Sequence, residues 1–188
     1  SQAADGSWTS DVIGGYTTAR VFWALIAARN AGIAVHKDSI EKAAAFLLKQ
    51  LEGFDANDND SKAIVLHALS TDKRADFAAC NRLYRDRNAL GSATLAYLTR
   101  AFFNIDRKEI AAELAVILEG KAKAEPDRPI CWESGYKAAW LNDGPETTAL
   151  VLLALAESKP DSPRADAAAQ SLLLSHGCFG FPTARAKG

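Results

Sequence analysis

A seven-residue frame of small and branched apolar residues, Ala-x-Val-x-x-Ala-Leu, occurs three times in this 188-residue sequence. It spans residues 19–25, 63–69 and 149–155. The second copy begins 44 residues after the first, and the third begins 86 residues after the second, which is close to two further periods. A fixed period of this length is typical of repeat architectures. Each copy lies in a stretch with helical periodicity, so the repeating unit is predicted to be a helical hairpin.

Apolar periodicity and helix-terminating residues together predict four such hairpins. In each pair the first helix is apolar nearly all round, whereas the second carries charges along one side. The first kind is expected to be buried and the second to lie at the surface. We therefore predict an all-α fold in which the first helices form an inner layer and the second helices an outer layer. The predicted pairs are 17–31 with 38–51, 61–70 with 77–86, 92–104 with 106–118, and 145–157 with 163–175.

Several helix starts carry residues that cap helices well. Asp38 and the glutamate three residues later form a capping-box pattern, and Asp60 or Ser61 can cap the next pair. Asp106 is predicted to open the second helix of the third pair, and Asp143 to cap the fourth pair.

Composition and charge narrow the class of protein. With 48% hydrophobic and 24% charged residues, the chain is expected to fold as one domain covering residues 1–188. The formal net charge is −1, and no long run of lysine or arginine occurs, so neither nucleic acid nor an anionic membrane is an expected partner. The longest apolar stretches are too short to span a bilayer. The sequence starts with Ser1, lacks methionine and shows no leader pattern, so we expect it to be a piece of a larger protein.

The segment before the first predicted helix carries a recognisable spacing, with Gln2, Gly6 and Trp8 in the order Gln-x-x-x-Gly-x-Trp. Glycine permits a tight turn there, and the aromatic ring can wedge between hairpins. This spacing resembles the repeat signature of the terpenoid cyclases and protein prenyltransferases. The resemblance implies an α/α toroid, with inner and outer rings of helices.

A narrower resemblance rests on four segments in order: Asp-Gly-Ser-Trp at 5–8, the stretch 15–25, Leu-Tyr-Arg-Asp-Arg at 83–87, and 140–155 with its Glu-Thr-Thr-Ala helix start. Together they resemble the thioester-containing domain of alpha-macroglobulins, especially bacterial ones. That family consists of broad-range protease inhibitors: cleavage of a bait region exposes an internal thioester, which acylates the attacking protease. The resemblance implies a non-catalytic scaffold without a cofactor. It also implies proteases and other domains of the parent protein as partners, and a periplasmic or extracellular location.

The sequence departs from that family at its reactive centre. The family forms its thioester within a Cys-Gly-Glu-Gln segment, whereas Cys131 is followed by Trp-Glu-Ser and Cys178 by Phe-Gly-Phe. In the family the reactive segment precedes the Asp-Gly-Ser-Trp region, so we expect it before Ser1 if the parent has one. Residues 181–187 resemble the opening of a further inner helix, which makes the predicted toroid incomplete.

No cluster of reactive residues predicts catalysis or metal binding. The acidic run at 55–60 lacks the spacing of a cyclase acid and is predicted to cap a helix. His67 falls within an inner helix, where a ligand or pH-sensitive role is an alternative to simple packing. Three widely spaced cysteines, Cys80, Cys131 and Cys178, are read as small buried residues, with one long-range disulfide as an alternative outside the cytosol.

Residues 119–142 have no helical period and are predicted to form a long ordered loop, or a loop that contains a short helix. This loop is the candidate interaction surface, because loops carry function and it concentrates aromatic residues. The alternative is that these rings seal one end of the barrel. The candidate residues are Trp132, Tyr136 and Trp140.

Two other functions remain open. One is a terpenoid cyclase or prenyltransferase-like enzyme, which requires an apolar cavity with a carboxylate or metal cluster. The other is a protein-interaction scaffold whose parent lacks a thioester.

Overall fold

The computed structural model describes residues 1–8, 15–123, 130–136 and 144–174. Within these ranges the chain forms eight α-helices and one short 3-10 turn at Arg87–Ala89, with no β-strand. An isolated antiparallel bridge joins Lys123 to Cys131. None of the described helices is both long and apolar enough to cross a bilayer. The helices are α1 Tyr16–Asn30, α2 Lys37–Gly53, α3 Asn59–Ser70, α4 Phe77–Arg85, α5 Ser92–Asn104, α6 Lys108–Gly120, α7 Gly144–Ser158 and α8 Pro163–Leu174.

All eight predicted helices are present, and each described end lies within two residues of its prediction. The all-α prediction is therefore confirmed. The agreement arises because apolar residues at helical spacing are a local signal within each segment, and burial of the apolar face stabilises the helix.

The predicted caps are less accurate than the helices. Asp58, rather than Asp60 or Ser61, caps α3, because its carboxylate accepts the N–H of Ser61 at 3.1 Å. The position before α2 makes no side-chain cap, and Asp38 lies inside the first turn. Asp106 adopts a left-handed conformation, with φ of 62°, in the turn that ends α5, so α6 begins two residues later.

The helices form two rows. α1, α3, α5 and α7 contact one another in that order, and we call them the buried row. The remaining helices form the covering row: α2 contacts α1 and α3, α4 contacts α3 and α5, α6 contacts α5 and α7, and α8 contacts α7. Each covering helix therefore packs on its own hairpin partner, and the first three also reach the buried helix of the next hairpin. This arrangement makes the four hairpins a continuous stack.

Burial within the buried row falls from its middle to its ends. Every residue of α3 from 63 to 70 and of α5 from 92 to 102 is buried. By contrast, α1 exposes Arg20, Ala24 and Ala27, and α7 exposes Leu153 and Ala156. The prediction that all four first helices are buried all round is thus correct for α3 and α5 and wrong for α1 and α7. The reason is that α1 and α7 stand at the ends of the row, where α1 packs mainly against α3 and α7 mainly against α5.

The segment before α1 is fastened to α2 by the predicted Gln-x-x-x-Gly-x-Trp spacing. The amide of Gln2 donates to the carbonyls of Gly6 and Ser39, each at 3.0 Å. Gly6 has φ of 95°, and a Cβ there would lie 2.3 Å from the carbonyl oxygen of Lys42. The backbone N–H of Trp8 donates to Thr18 of α1 at 3.2 Å. The glycine is therefore required both by its conformation and by the closeness of α2.

The sixth position of the frame is buried in α3 and α7 but exposed in α1. Ala68 of α3 is 1% exposed, whereas Ala24 of α1, at the same frame position, is exposed. We expect Ala68→Leu to lower the free energy of unfolding by about 1–3 kcal/mol, because a larger side chain forces α3 away from its neighbours.

Urea unfolding followed by circular dichroism measures this difference. Ala24→Leu is the matched control and should change stability by no more than about 0.5 kcal/mol. Equal losses in the two variants would contradict the burial gradient.

Candidate functional site

Polar and aromatic side chains of the buried row converge between α1, α5 and α7, and we call this set the central cluster. Two of its groups, Tyr16 and Glu146, stand at one end, and each precedes a frame by three residues. The others lie further along the helices. The central cluster consists of Tyr16, Arg20, Trp23, His67, Tyr97, Arg100, Glu146 and Glu157.

An ion pair joins the first and fourth helices of the buried row. Arg20 of α1 donates to the carboxylate of Glu146 in α7 and to the hydroxyl of Tyr16. The Tyr16 hydroxyl lies 3.4 Å from the same carboxylate. Burial raises the pKa of Tyr16 above its ordinary value, so it stays protonated at neutral pH. The ends of the row are therefore tied to each other at this point.

A second pair lies deeper. Arg100 is the only charged residue of α5, and its guanidinium binds Glu157 of α7 through two hydrogen bonds of 2.9 Å each. Its side chain is 8% exposed, and its Cζ lies 5.0 Å from the ring centre of Trp23 in α1. Such a fork-shaped contact fixes both distance and orientation. Arg100 thus connects α5 to α7 by charge and to α1 by its stacked face.

A row of rings crosses the buried helices at the fifth position of the frame. His67 lies between Trp23 and Tyr97, with ring centres 4.8 and 5.2 Å away. His67 is 1% exposed, and burial followed by the charge of Arg100 holds its pKa well below the ordinary value. Burial likewise raises the pKa of Tyr97. Both groups are therefore neutral at neutral pH.

Sequence reasoning missed most of this cluster although signals were present. The frame is defined by its aliphatic positions, whereas its fifth position carries Trp23 and His67 in the first two copies. Tyr97 lies four residues after Ala93 in α5, which has no complete copy of the frame. A lone arginine in an otherwise uncharged helix, as at Arg100, signals a buried pair, because an unpaired buried charge is very costly. The partner Glu157 could not be identified from the sequence, because the two paired residues lie 57 positions apart along the chain.

The described part of the predicted loop packs inward. Along 130–136 alternate side chains are buried: Trp132 is 1% exposed and Tyr136 is 8% exposed, whereas Glu133 is exposed. The indole N–H of Trp132 donates to the carbonyl of Leu118 at 2.7 Å, and its backbone N–H donates to Thr148 at 3.3 Å. These two rings are thus not presented to solvent. Trp140 lies outside the described residues, and the recognition role of the loop stays a prediction.

Two glycines let this loop touch the start of α5. A Cβ on Gly91 would lie 2.6 Å from the carbonyl oxygen of Ser134 and 3.0 Å from the Cα of Gly135. Gly135 has φ of 71° and would itself meet Gly91 at 2.8 Å. The same Ser134 carbonyl accepts the backbone N–H of Ala93 at 3.1 Å. The loop is therefore docked by backbone contacts between α5 and α7.

The remaining acidic residues and histidines that the sequence singles out form no reactive cluster among the described residues. Asp58 caps α3, and Asp60 accepts the hydroxyl hydrogen of Thr94, so the acidic run contributes to helix ends as predicted. His36 is exposed, and His176 lies outside the described residues. No group of three or more potential metal ligands occurs in the described ranges.

The cysteines follow their prediction in part. Cys80 is fully buried, and burial raises the pKa of its thiol to about 12, which leaves the reactive thiolate scarce. Cys131 is half-buried, and no disulfide joins it to Cys80. Cys178 lies outside the described residues.

Comparison with solved structures places this arrangement of helices within a known fold. The chain matches the crystal structure of native alpha-2-macroglobulin from Escherichia coli, spanning domain MG7 to the C-terminus, with a TM-score of 0.66 and 19% identity. It matches the cryo-EM reconstruction of the native conformation of the same E. coli protein with a TM-score of 0.67 and 20% identity. Each match covers 96% of this chain, but only 29% and 12% of those chains. The sequence matches no protein-family model and none of the curated proteins.

These matches confirm the predicted resemblance to an alpha-macroglobulin region at the level of fold. The chain spans a minor part of the proteins that it resembles.

The close contact of Gly91 with the loop makes a specific prediction. Gly91→Ala should lower the free energy of unfolding by about 1–3 kcal/mol or release the loop, because the new Cβ meets backbone that has little room to move. Trp132 fluorescence reports the release, since this ring is 1% exposed when the loop is docked.

Gly53→Ala provides the control, because a Cβ there meets nothing within 4 Å. It should leave stability unchanged or raise it by up to about 1 kcal/mol. If both variants behave alike, the backbone contact at Gly91 does not constrain the loop.

The pair between Arg100 and Glu157 gives another prediction. Glu157→Gln should cost about 1–3 kcal/mol of stability, because it leaves the buried guanidinium without its counter-charge. The lower part of the range for breaking a buried pair applies, since Glu157 is 29% exposed.

Glu113→Gln is the matched control, because Glu113 pairs with Arg87 at the surface and is 47% exposed. Its cost should stay below about 1 kcal/mol. Thermal unfolding of both variants in parallel decides the matter, and equal costs would show that Arg100 does not depend on Glu157.

Proposed function

We propose that this chain is a non-catalytic scaffold domain of an alpha-macroglobulin-like protease inhibitor. The observation that carries the proposal is the fold match over 96% of the chain to a region of the E. coli alpha-2-macroglobulin. The four sequence segments that resemble the thioester-containing domain point to the same family independently of the fold.

In this proposal the two rows of helices are an arc of an incomplete α/α toroid. The order of contacts along the buried row supports an arc, because each covering helix packs against its own hairpin partner. The tie between Arg20 and Glu146 supports curvature, since it brings the first and fourth buried helices together. A flat row of four helices would hold its ends about three interaxial distances apart, beyond the reach of one ion pair.

The scaffold role is to hold a reactive neighbour in place until a protease triggers the parent protein. The described residues suit this role, because their interior charges are paired and their buried thiol is unreactive. The 188 residues contain no Cys-Gly-Glu-Gln segment, so the acylating chemistry of the family belongs to other residues of a parent protein.

The enzyme alternative has less support. A cyclase or transferase needs a carboxylate or metal-ligand cluster facing an apolar cavity, whereas the described central cluster holds one buried ion pair, one partly exposed ion pair and a row of contacting rings. A thioester-less scaffold differs from the main proposal only in the parent protein. Methylamine treatment of that parent separates the two, because an amine opens a thioester and releases one titratable thiol per chain.

The proposal predicts protease trapping by the parent protein. Incubation with trypsin, and separately with a protease of different specificity, should suppress cleavage of a large protein substrate. Cleavage of a small peptide substrate should continue, because a trapped protease is enclosed rather than blocked at its active site. Failure to restrain any of the proteases would contradict the proposed function.

The dependence on this domain is tested with the variants introduced above. Trapping should be lost at a temperature at which the domain carrying Ala68→Leu is unfolded while the wild-type domain and the Ala24→Leu domain are folded. Full trapping by a parent protein with this domain unfolded would show that the domain is not the scaffold.

A further inference from the structure

We propose that His67 and Arg100 form an acid-sensitive latch that holds α1 against α3 and α5. The inference does not depend on the proposed function, because it rests on the surroundings of two side chains in the central cluster. It assigns a regulatory role to a histidine for which the sequence alone left packing and pH sensing open.

The first observation is that the buried Nε2 of His67 meets no acceptor among the described residues. The ring is held between Trp23 and Tyr97. A protonated imidazole needs acceptors for both of its N–H groups, and a buried donor without an acceptor is costly. The folded protein therefore favours the neutral ring.

The second observation is that the nearest charge has the wrong sign. Nη1 of Arg100 is also buried without a hydrogen-bond partner among the described residues. A guanidinium has only donors, so it cannot accept a hydrogen bond from His67. Its other two nitrogens are committed to Glu157. Protonation of His67 would place two cations beside each other in a buried site.

None of the described helices that pack against α3 offers a compensating negative charge to His67. Helix α3 packs against α1, α2, α4 and α5. All charged side chains of α2 and α4 are exposed, as are Arg20 and Arg29 of α1. From α5 the ionisable groups are Tyr97 and Arg100, and burial keeps Tyr97 neutral. Asp60 of α3 itself binds Thr94.

Attraction between a cation and an aromatic ring would act in the opposite direction. A protonated His67 could gain such attraction from Trp23 or Tyr97. The Trp23 ring, however, already carries the guanidinium of Arg100 at 5.0 Å. The Trp23 ring therefore already interacts with a cation while His67 is neutral. The attraction that it can offer to a protonated His67 is reduced, and the repulsion from Arg100 remains.

Protonation of His67 is expected to displace α1. Trp23 is the residue of α1 that contacts both His67 and Arg100. Moving Trp23 aside lets water reach the imidazole and lets the two cations separate. Since α1 lies at one end of the buried row and exposes part of its surface, it can move without dismantling α3 and α5.

The direction with pH follows from the lowered pKa of the folded state. Burial, and then Arg100, hold the pKa of His67 well below 6.5 in the folded chain, while in the opened chain it returns to about 6.5. The contribution to stability is therefore complete above pH about 6.5. It is lost as pH falls below that value, until the pKa of the folded state is reached. In this window the opening equilibrium constant rises by up to tenfold per pH unit.

The test compares the pH dependence of unfolding in the wild type and in His67→Phe, which keeps an aromatic ring but cannot be protonated. Between pH 6.5 and 5, the unfolding equilibrium constant of the wild type should rise by up to tenfold per unit relative to the variant. His36→Phe is the control, because His36 is exposed, and it should keep the wild-type slope. Equal slopes in wild type and His67→Phe, or loss of the slope in His36→Phe, would overturn the proposal.

Two measurements on the wild type need no variant. The imidazole signal of His67 in NMR should remain that of the neutral ring at pH 6, and half-protonation near pH 6.5 in the folded protein would overturn the latch. Amide hydrogen exchange, corrected for its intrinsic pH dependence, should show α1 losing protection on acidification before α6. Simultaneous loss in both helices would contradict the assignment to α1.

Discussion

The structure depends on complete burial of two helices, α3 and α5, on every side. A helix can be surrounded in this way only if its neighbours approach closely, and close approach requires small side chains at the contacts. Alanine and threonine occupy many of these positions, such as Ala63, Ala93 and Thr94, all at most 1% exposed. The same tight geometry leaves little water in the middle of the row, so every polar group that enters there must bring its own partner.

That requirement explains the central cluster. Arg100 lies in the middle of the buried row and is paired with Glu157. Arg20 of α1 is paired with Glu146 of α7, which joins the two ends of the row. Two polar atoms of the cluster do not meet this requirement, since Nε2 of His67 and Nη1 of Arg100 have no hydrogen-bond partner in the described part of the chain. A buried histidine that the folded state favours only in its neutral form makes stability depend on pH.

The helices could be predicted from the sequence, whereas the burial of individual side chains could not. The helices follow from local periodicity, so their number and bounds were predictable, as α5 at Ser92–Asn104 illustrates. The exposure of Leu153 was not predictable from the sequence, because the same frame position is buried in α3, where His67 occupies it. Leu153 is exposed because α7 lies at the end of the row. The inward packing of Trp132 was equally inaccessible, since it depends on the carbonyl of Leu118, which the sequence cannot place in space.

The docking of the loop at 130–136 has a further consequence for how this fold tolerates change. Its contacts with α5 are made by the backbone of Ser134 and Gly135 against Gly91, and Trp132 donates to a backbone carbonyl. The contacts with Gly91 depend on the presence of glycine and on chain direction, whereas the bond to Leu118 requires the indole of Trp132. On the exposed side of the loop, Glu133 makes only a surface ion pair with Lys123, so a substitution there should cost less than about 1 kcal/mol and leave the loop in place. A surface built in this way can diversify with few structural penalties, and a probe attached at Glu133 would report on the loop without disturbing the core.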